Sequence, residues 1–381
     1  MKTIKYIGFN DSTGYGIAAR TMVSALRQES ATVHWVPVVG GASAYKPHSV
    51  PQIREGYKSV IIHTVPEYYP YWLKFEQEQK TKSKKIWGYT TWETDKIPRH
   101  WAKLLNIMDG IFVPCNWNRE VFRECGVQTR IEVLPHVSQF QGQSPEDLPS
   151  PGLQKLMERI GKRFVFYNVG VWSERKAPWL LVEAFLSEFS PHEPVTLVMK
   201  TGKQDFTKFR RKWYKPWQSA PGNAANAFKK IMKSVVNGPE VIHLEEELSD
   251  NDMASFHKMG DCFVALGRGE GWGMGSYEAA WWGKPIITTG LGGVLDYLPE
   301  KLSYQVKYKL IPANCEVEGW WSYTIDQLWA EPDLAHARQL MRQVFEDQQG
   351  AAAKGLQLRD YVNHNFNSAL IAQKCLDSLE H

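Results

Sequence analysis

The chain has 381 residues, 43% hydrophobic and 23% charged, which is enough apolar material for a full core and too little charge for disorder. Lys+Arg 45 against Asp+Glu 41 leaves a net charge of +4, so the total says little about partners until its distribution is read. The five cysteines include no Cys-x-x-Cys pair, which excludes a disulfide framework or structural zinc site of ordinary spacing.

The N-terminus MKTIKYIGFNDSTGYG reaches Asn10 and Asp11 before any run long enough for a signal h-region, and no stretch of about 18 apolar residues follows. A cytoplasmic protein is expected, with contact at a membrane surface left open. Short apolar runs then alternate with helical patterns, the signature of strand-helix units feeding parallel sheets. Strands are predicted at 4–9, 32–39, 59–63, 85–90, 110–113 and 130–134. Residues 138–152, SQFQGQSPEDLPSPG, break the pattern with three prolines and read as a linker. A second series follows at 163–169, 195–200, 240–244, 261–266 and 285–289. The expected fold is α/β, with two doubly wound, Rossmann-like domains over 1–150 and 151–355 facing each other across a cleft. A C-terminal helix near 357–379, within a segment 356–381, is expected to cross back to the first domain. Ligands in such sheets sit at the carboxyl ends of the strands, so the loops there carry the function.

The first of those loops is Asn10-Asp11-Ser12-Thr13-Gly14-Tyr15-Gly16-Ile17-Ala18-Ala19, in which Gly14, Gly16 and Ala19 fit G-x-G-x-x-A. Such a loop can cradle a phosphate at a helix N-terminus, or simply let a helix pack on a strand. A dinucleotide site would need an acidic residue about 20 positions later for the ribose, and His34-Trp35-Val36-Pro37-Val38-Val39 has none. That argues against a nicotinamide cofactor. His63 and His136, each after a predicted strand, read either as structural histidines or as polar members of a site.

Positive charge is concentrated between Lys200 and Lys233. Lys200, Lys203, Lys208, Arg210, Arg211, Lys212, Lys215, Lys229, Lys230 and Lys233 stand against Asp205 alone, a local charge of +9 that leaves −5 for the rest. Phe206, Phe209, Trp213, Tyr214, Trp217 and Phe228 are interleaved with them. Three readings stay open: a solvated basic helix, a surface for anionic lipid or glycan, and a surface for DNA or RNA.

The most informative segment is Leu266-Gly267-Arg268-Gly269-Glu270-Gly271-Trp272-Gly273-Met274-Gly275-Ser276-Tyr277-Glu278. Its glycines let backbone amides approach a ligand, and 276–282 reads as a helix stopped by Gly283 and Pro285. Glu270 in the loop can accept hydrogen bonds from hydroxyls, and Glu278 in the helix can hold a diol. Either could instead cap the helix or pair with Arg268 or Lys284.

Glu270 and Glu278, separated by seven residues in G-E-G-W-G-M-G-S-Y-E-A-A-W-W-G-K-P, resemble the E-x7-E signature of retaining GT-B glycosyltransferases of the GT4 type. Residues 89–95 (YTTWETD), 113–122 (VPCNWNREVF) and the run from Val169-Gly170 through Arg175-Lys176 to Val182-Glu183-Ala184-Phe185 are similar to further segments of that family. The resemblance implies a nucleotide-sugar donor, uridine or guanosine diphosphate, with no resident cofactor and no metal ion. It implies Glu270 on the donor sugar, Glu278 on the ribose, and Arg175 and Lys176 on the departing diphosphate. Gly14, Gly16, Arg268, Gly271, Trp272, Gly273 and Met274 join the donor-binding set. Val171 stands where an arginine is common, and Lys200 is expected to supply that cation. Glu93 falls near the family's cleft histidine and is expected to orient acceptor or sugar; as a bare residue it would cap the helix near 98–105. No protein nucleophile is implied. The acceptor would be a hydroxyl of a glycan or lipid-linked saccharide. Alternatively it would be a hydroxymethylated base in duplex DNA held by Lys208, Arg210, Arg211, Lys212, Trp213 and Lys215, or the scaffold would only bind sugar or nucleic acid.

Overall fold

The computed structural model describes residues 2–38, 56–78, 84–141, 148–212, 215–313 and 322–380, apart from the side chains of 209–212 and 215–219. The chain forms two compact units, Met1–Gln141 with Asn363–His381, and Gly142–Val362. The division falls before the predicted boundary at 150, and Pro151, read as linker, opens a helix instead.

In the first unit the elements run β1 (Thr3–Phe9), α1 (Gly14–Gln28), β2 (Thr32–Val38), β3 (Ser59–His63), α2 (Tyr69–Glu78), β4 (Lys85–Tyr89), α3 (Trp101–Leu105), β5 (Gly110–Val113), α4 (Asn116–Glu124) and β6 (Ile131–Val133). The six strands form one parallel sheet in the order β2-β1-β3-β4-β5-β6. Their near-continuous apolar runs fit a sheet covered on both faces, and β3 is buried along its whole length. On α1 the residues Ala18, Ala19, Met22, Val23, Ala25 and Leu26 are buried at helical spacing.

At the amino ends of these strands lies a sealed ionic cluster. Lys5 Nζ and Lys84 Nζ reach the two oxygens of Glu76 at 2.5 and 3.0 Å, and Tyr57 Oη donates to Glu76 Oε2 at 2.7 Å. The three charged side chains are 0–4% exposed. Lys84 also sits 4.3 Å from the Tyr57 ring centre and Lys5 4.9 Å from that of Phe75.

The second unit runs α5 (Pro151–Ile160), β7 (Phe164–Val169), α6 (Pro178–Glu188), β8 (Val195–Lys200), β9 (Gln204–Lys212), β10 (Lys215–Asn223), α7 (Ala224–Met232), β11 (Glu240–Leu244), α8 (Asp250–Met259), β12 (Cys262–Ala265), α9 (Met274–Trp281), β13 (Ile286–Thr289), β14 (Tyr304–Val306), β15 (Tyr308–Pro312), β16 (Leu328–Pro332) and α10 (Leu334–Glu346). Its parallel sheet has the order β11-β8-β7-β12-β13-β14. The core is aromatic and aliphatic, with Phe166, Phe185, Leu197, Val264 and Ile287 buried together.

Three differences from the sequence reading concern elements. The basic segment is not one solvated helix, because β9 and β10 pair as an antiparallel ribbon and only 224–232 is helical. A second antiparallel pair, β15 with β16, and the three-residue β14 were not predicted. The expected helix at 357–379 is two helices, α11 (Gln348–Asn365) and α12 (Ser368–Ser378), separated where Asn367 caps the second by accepting from Leu370 N at 3.0 Å. α12 packs on α1 within the first unit.

Candidate active site

Numbered from its own first strand, the second sheet has the order 3-2-1-4-5-6, so the chain reverses direction between β7 and β12. The loops leaving those two strands diverge there and open the crevice where ligands of such sheets bind. The loop after β7 carries Arg175 and Lys176, and the loop after β12 carries Glu270. Their side chains meet. Lys176 Nζ bonds Glu270 Oε1, and Arg175 Nη1 lies 3.6 Å from Glu270 Oε2 while donating to Gly269 O at 2.8 Å. All three are partly open, at 13–25% exposure. Ala177 follows in the left-handed region at φ 38°, a strained conformation held by its N–H on Ser173 O at 2.8 Å. A depression beside the triad is lined by Asn168, Gly170, Lys176, Glu270, Gly273 and Ser276. Gly273 and Ser276 belong to the start of α9, whose first backbone amides lack intrahelical acceptors and favour an anion.

Several residues expected in the donor set turn out to hold the loop. Arg268 binds Glu174 at 3.0 Å and Glu331 at 2.6 Å, between the rings of Trp179 and Trp329. Its N–H also donates to Arg175 O at 2.7 Å, so it braces one loop on the other. Trp272 is buried against Tyr277 and Tyr297, and Tyr297 Oη donates to Trp272 O and Gly273 O, both at 2.9 Å. Gly273 has φ 81°, and a Cβ there would lie 2.7 Å from Val294 Cγ1, so no other residue fits unstrained. Gly271 is buried and Met274 half-buried in the same turn.

Glu278 is 4% exposed on α9, its Oε2 3.8 Å from Nε2 of His257 on α8. His257 Nδ1 in turn meets Tyr167 Oη at 3.0 Å. Neither Arg268 nor Lys284 is its partner, since Lys284 donates to Lys258 O at 3.0 Å. Lys200 ends β8 in register with Val169, and Gly170 N donates to Lys200 O at 3.0 Å. Burial pulls the Lys200 ammonium below its ordinary range, with Glu247 opposing. Val171 is exposed in the adjoining loop. Lys208 is exposed on β9; Trp213 and the side chains of Arg210, Arg211, Lys212 and Lys215 lie outside the described set. A broader depression of about 410 Å³ lies at the amino end of the sheet, by Gly161, Arg163 and Asp261. Two of its charged residues are committed, Arg163 to Glu240 at 2.9 Å and Asp261 to Val165 N at 2.7 Å.

The first sheet has the order 2-1-3-4-5-6, which places its own switch between β1 and β3. The glycine loop and His63 lie there. Gly16 is demanded by the loop itself: a Cβ would stand 2.2 Å from Asp11 O. Gly14 is the exposed first residue of α1, after the cap Thr13. Tyr15 Oη bonds Thr90 Oγ1 at 2.9 Å, tying α1 to the loop after β4. Burial, with the Glu93 carboxylate adding to it, pushes the Tyr15 phenol up. Glu93 is half-buried in the loop before α3, whose N-cap position is His100. His63 stacks on Tyr89 at 4.0 Å and meets Tyr6 Oη through Nδ1 at 2.8 Å, while His136 Nδ1 meets Tyr89 Oη at 2.9 Å. Burial holds His63 well below its usual range and His136 down to about 3, so both rings are neutral at pH 7.

Sequence reasoning missed the braces Glu174, Glu331 and Trp329, the His257–Tyr167 pair, and Asn118. The last accepts from Thr91 Oγ1 at 2.8 Å and donates to Trp92 O at 2.7 Å, shaping the loop that presents Glu93. Its 0% exposure is the only signal, and burial is not visible in a helix that reads as polar. Among the described residues no group of three or more His, Cys, Asp or Glu is arranged to hold a metal ion.

No protein-family model matches the chain, and no curated protein matches it in sequence. Solved structures do. A sucrose-phosphate synthase from Thermosynechococcus elongatus superposes with a TM-score of 0.71 at 14% identity, covering 100% of this chain and 98% of that one. Anabaena HepE in complex with UDP-glucose gives 0.69 at 12% identity over 100% of both chains. A glycosyltransferase from Rickettsia africae gives 0.68 at 15% identity over 100% and 98%. The fold is GT-B, built of two Rossmann-like α/β domains.

Proposed function

We propose that the protein is a retaining glycosyltransferase that moves a sugar from a nucleoside-diphosphate sugar to a hydroxyl acceptor. The observation that carries this reading is the convergence of Lys176 and Arg175 on Glu270 beside the start of α9. Breaking the anomeric C–O bond leaves negative charge on the diphosphate, and fixed cations there favour the transition state over the ground state. Lys176 and Arg175 take the diphosphate, and Glu270 accepts hydrogen bonds from sugar hydroxyls. Arg268 positions Arg175 through its backbone. Glu278 takes the ribose; it reaches a diol by turning its carboxylate away from His257. Lys200, whose backbone meets Gly170, adds a third cation, since Val171 supplies none. The acceptor oxygen attacks on the face the diphosphate leaves, and its proton passes to the departing phosphate oxygen. In the first domain Glu93 orients the acceptor. HepE binds UDP-glucose, which supports uridine diphosphate sugars as the first donors to test.

The test is the anomeric configuration of the product, read by proton NMR from an α-linked donor. An α-linked product is expected. A β-linked product contradicts retention, and no consumption of any donor leaves a binding protein on this scaffold.

A further inference from the structure

We propose that the buried pair Tyr167 and His257 positions the Glu278 carboxylate as the acceptor for the donor's ribose hydroxyls, so that through His257 the site tells a ribonucleotide from its 2′-deoxy counterpart. The proposal rests on the sugar-transfer reading above, in which Glu278 takes the ribose. The three residues come from three elements, β7, α8 and α9, and all are closed off: Tyr167 and His257 are 0% exposed and Glu278 4%.

A buried carboxylate stays an ionised acceptor only where an N–H or a cation stands beside it; otherwise it takes up a proton and becomes a donor at one oxygen. A ribose diol presents two O–H donors, and the ionised form alone accepts from both with no proton in the way. Beside Glu278 stands His257, its Nε2 3.8 Å from Oε2. Which ring nitrogen carries the proton follows from the far side of the imidazole. There Nδ1 meets Tyr167 Oη at 3.0 Å. Burial pushes this phenol well above its ordinary range, with Cys262 and Glu278 adding to it, so the hydroxyl keeps its proton. A hydroxyl that donates to Nδ1 leaves the ring proton on Nε2, next to the carboxylate. The opposite tautomer would set the Nε2 lone pair against a negative charge.

The spacing restrains Glu278 without locking it. At 3.8 Å the two atoms are beyond hydrogen-bond length, so the carboxylate turns to a diol without breaking a bond to the ring. The tyrosine is fixed in turn. Its ring lies edge-on to Phe256 and Phe263, with centres 5.7 and 5.1 Å away, and a Cβ on Gly260 would stand 2.2 Å from its Cδ1. Apolar side chains would fill this space as well, and burying polar ones adds no stability over them. What the hydroxyl and the imidazole add is an oriented N–H at Glu278. That glutamate sits on the helix whose start, at Gly273 and Ser276, lines the depression beside Lys176 and Glu270.

The experiment is calorimetric titration of the full chain with UDP and GDP and with their 2′-deoxy counterparts, for wild type, His257→Phe, His257→Gln and Tyr167→Phe. Wild type is expected to bind its ribonucleotide about tenfold to a hundredfold more tightly than the deoxynucleotide, the worth of one hydrogen bond to a charged group. His257→Phe should weaken the ribonucleotide and bring the two within about threefold, the deoxynucleotide changing little. His257→Gln, which returns an N–H beside the carboxylate, should restore most of the preference. The ratio of two affinities measured on one preparation does not depend on the fraction folded, so lost stability alone does not move it. Tyr167→Phe keeps the ring and removes the hydroxyl; it should lower the preference by a smaller factor, and it decides the matter where His257→Phe does not fold. On a Glu278→Gln background, His257→Phe should leave the ratio unchanged. Wild-type preference in His257→Phe and Tyr167→Phe, an equal loss for both nucleotides, or no preference in wild type overturns the proposal and leaves sugar transfer standing. No binding of any nucleoside diphosphate by wild type sinks the sugar-transfer reading and this one with it.

Discussion

Two clusters in this molecule have the same charge inventory, two cations on one glutamate, and opposite designs. Lys5 and Lys84 share Glu76 at 0–4% exposure. Their surplus positive charge rests on the rings of Tyr57 and Phe75, and the Tyr57 hydroxyl fills the remaining site on the carboxylate. Arg175 and Lys176 share Glu270 at 13–25% exposure, where two strands part and a helix begins. There the surplus charge faces a depression. The contrast teaches that composition does not separate a structural ion cluster from an anion site. Position on the sheet does: the first cluster lies at the amino ends of parallel strands, the second at the carboxyl ends, at the switch point.

The sharpest way to break this comparison is to neutralise each glutamate. Glu76→Gln should destabilise the fold by about 3–5 kcal/mol, because two buried ammoniums lose their counter-charge. Glu270→Gln should cost less stability and more turnover. Urea midpoints of the two variants check the pair, and equal midpoints would erase the distinction. Next in size, Lys176→Ala should slow nucleoside-diphosphate release by about 10²- to 10³-fold, or about 3–4 kcal/mol of transition-state stabilisation, at an unchanged melting temperature. Single-turnover kinetics reads it.

The histidines of the first sheet set a third expectation. His136 is held down to about 3 in the folded state, and His63 is also depressed, whereas both take protons near pH 6.5 when unfolded. Their contribution is therefore fully present above that pH and is lost as pH falls below it, by up to about 1.4 kcal/mol per pH unit for each ring. Stability measured from pH 7 to 4 should drop accordingly, and His136→Gln should flatten the slope. The smallest effect belongs to Tyr297→Phe, which removes the hydroxyl on Trp272 O and Gly273 O and should cost about 1 kcal/mol. Thermal unfolding measures it, with UDP affinity reporting whether the glycine turn has loosened.

The features legible in the sequence were those written locally. Buried parallel strands announce themselves as apolar runs, and the turn around Gly273 is marked by its own glycines. The ribbon β9–β10 was not legible, because K-F-R-R-K-W-Y-K offers neither a helical nor an alternating apolar period. Its strands pair with two register shifts, and its root is held by a bridge to Trp172, more than thirty residues away. Arg268 looked like a ligand contact because its partners, Glu174 and Glu331, are distant in sequence. The pairing of Glu278 with His257 is hidden for the same reason. The break before α12 was marked by Asn367, a strong capping residue, yet the surrounding helical period masked it.

The central claim is that the cations gathered on Glu270 drive departure of a nucleoside diphosphate from a sugar. The most direct measurement is UDP and GDP release from a panel of nucleotide sugars by wild type and Lys176→Ala, at matched folding. Release by wild type from at least one donor, slowed at least a hundredfold in the variant, is the predicted result. Equal release by both proteins, or release from none of the donors, would contradict it.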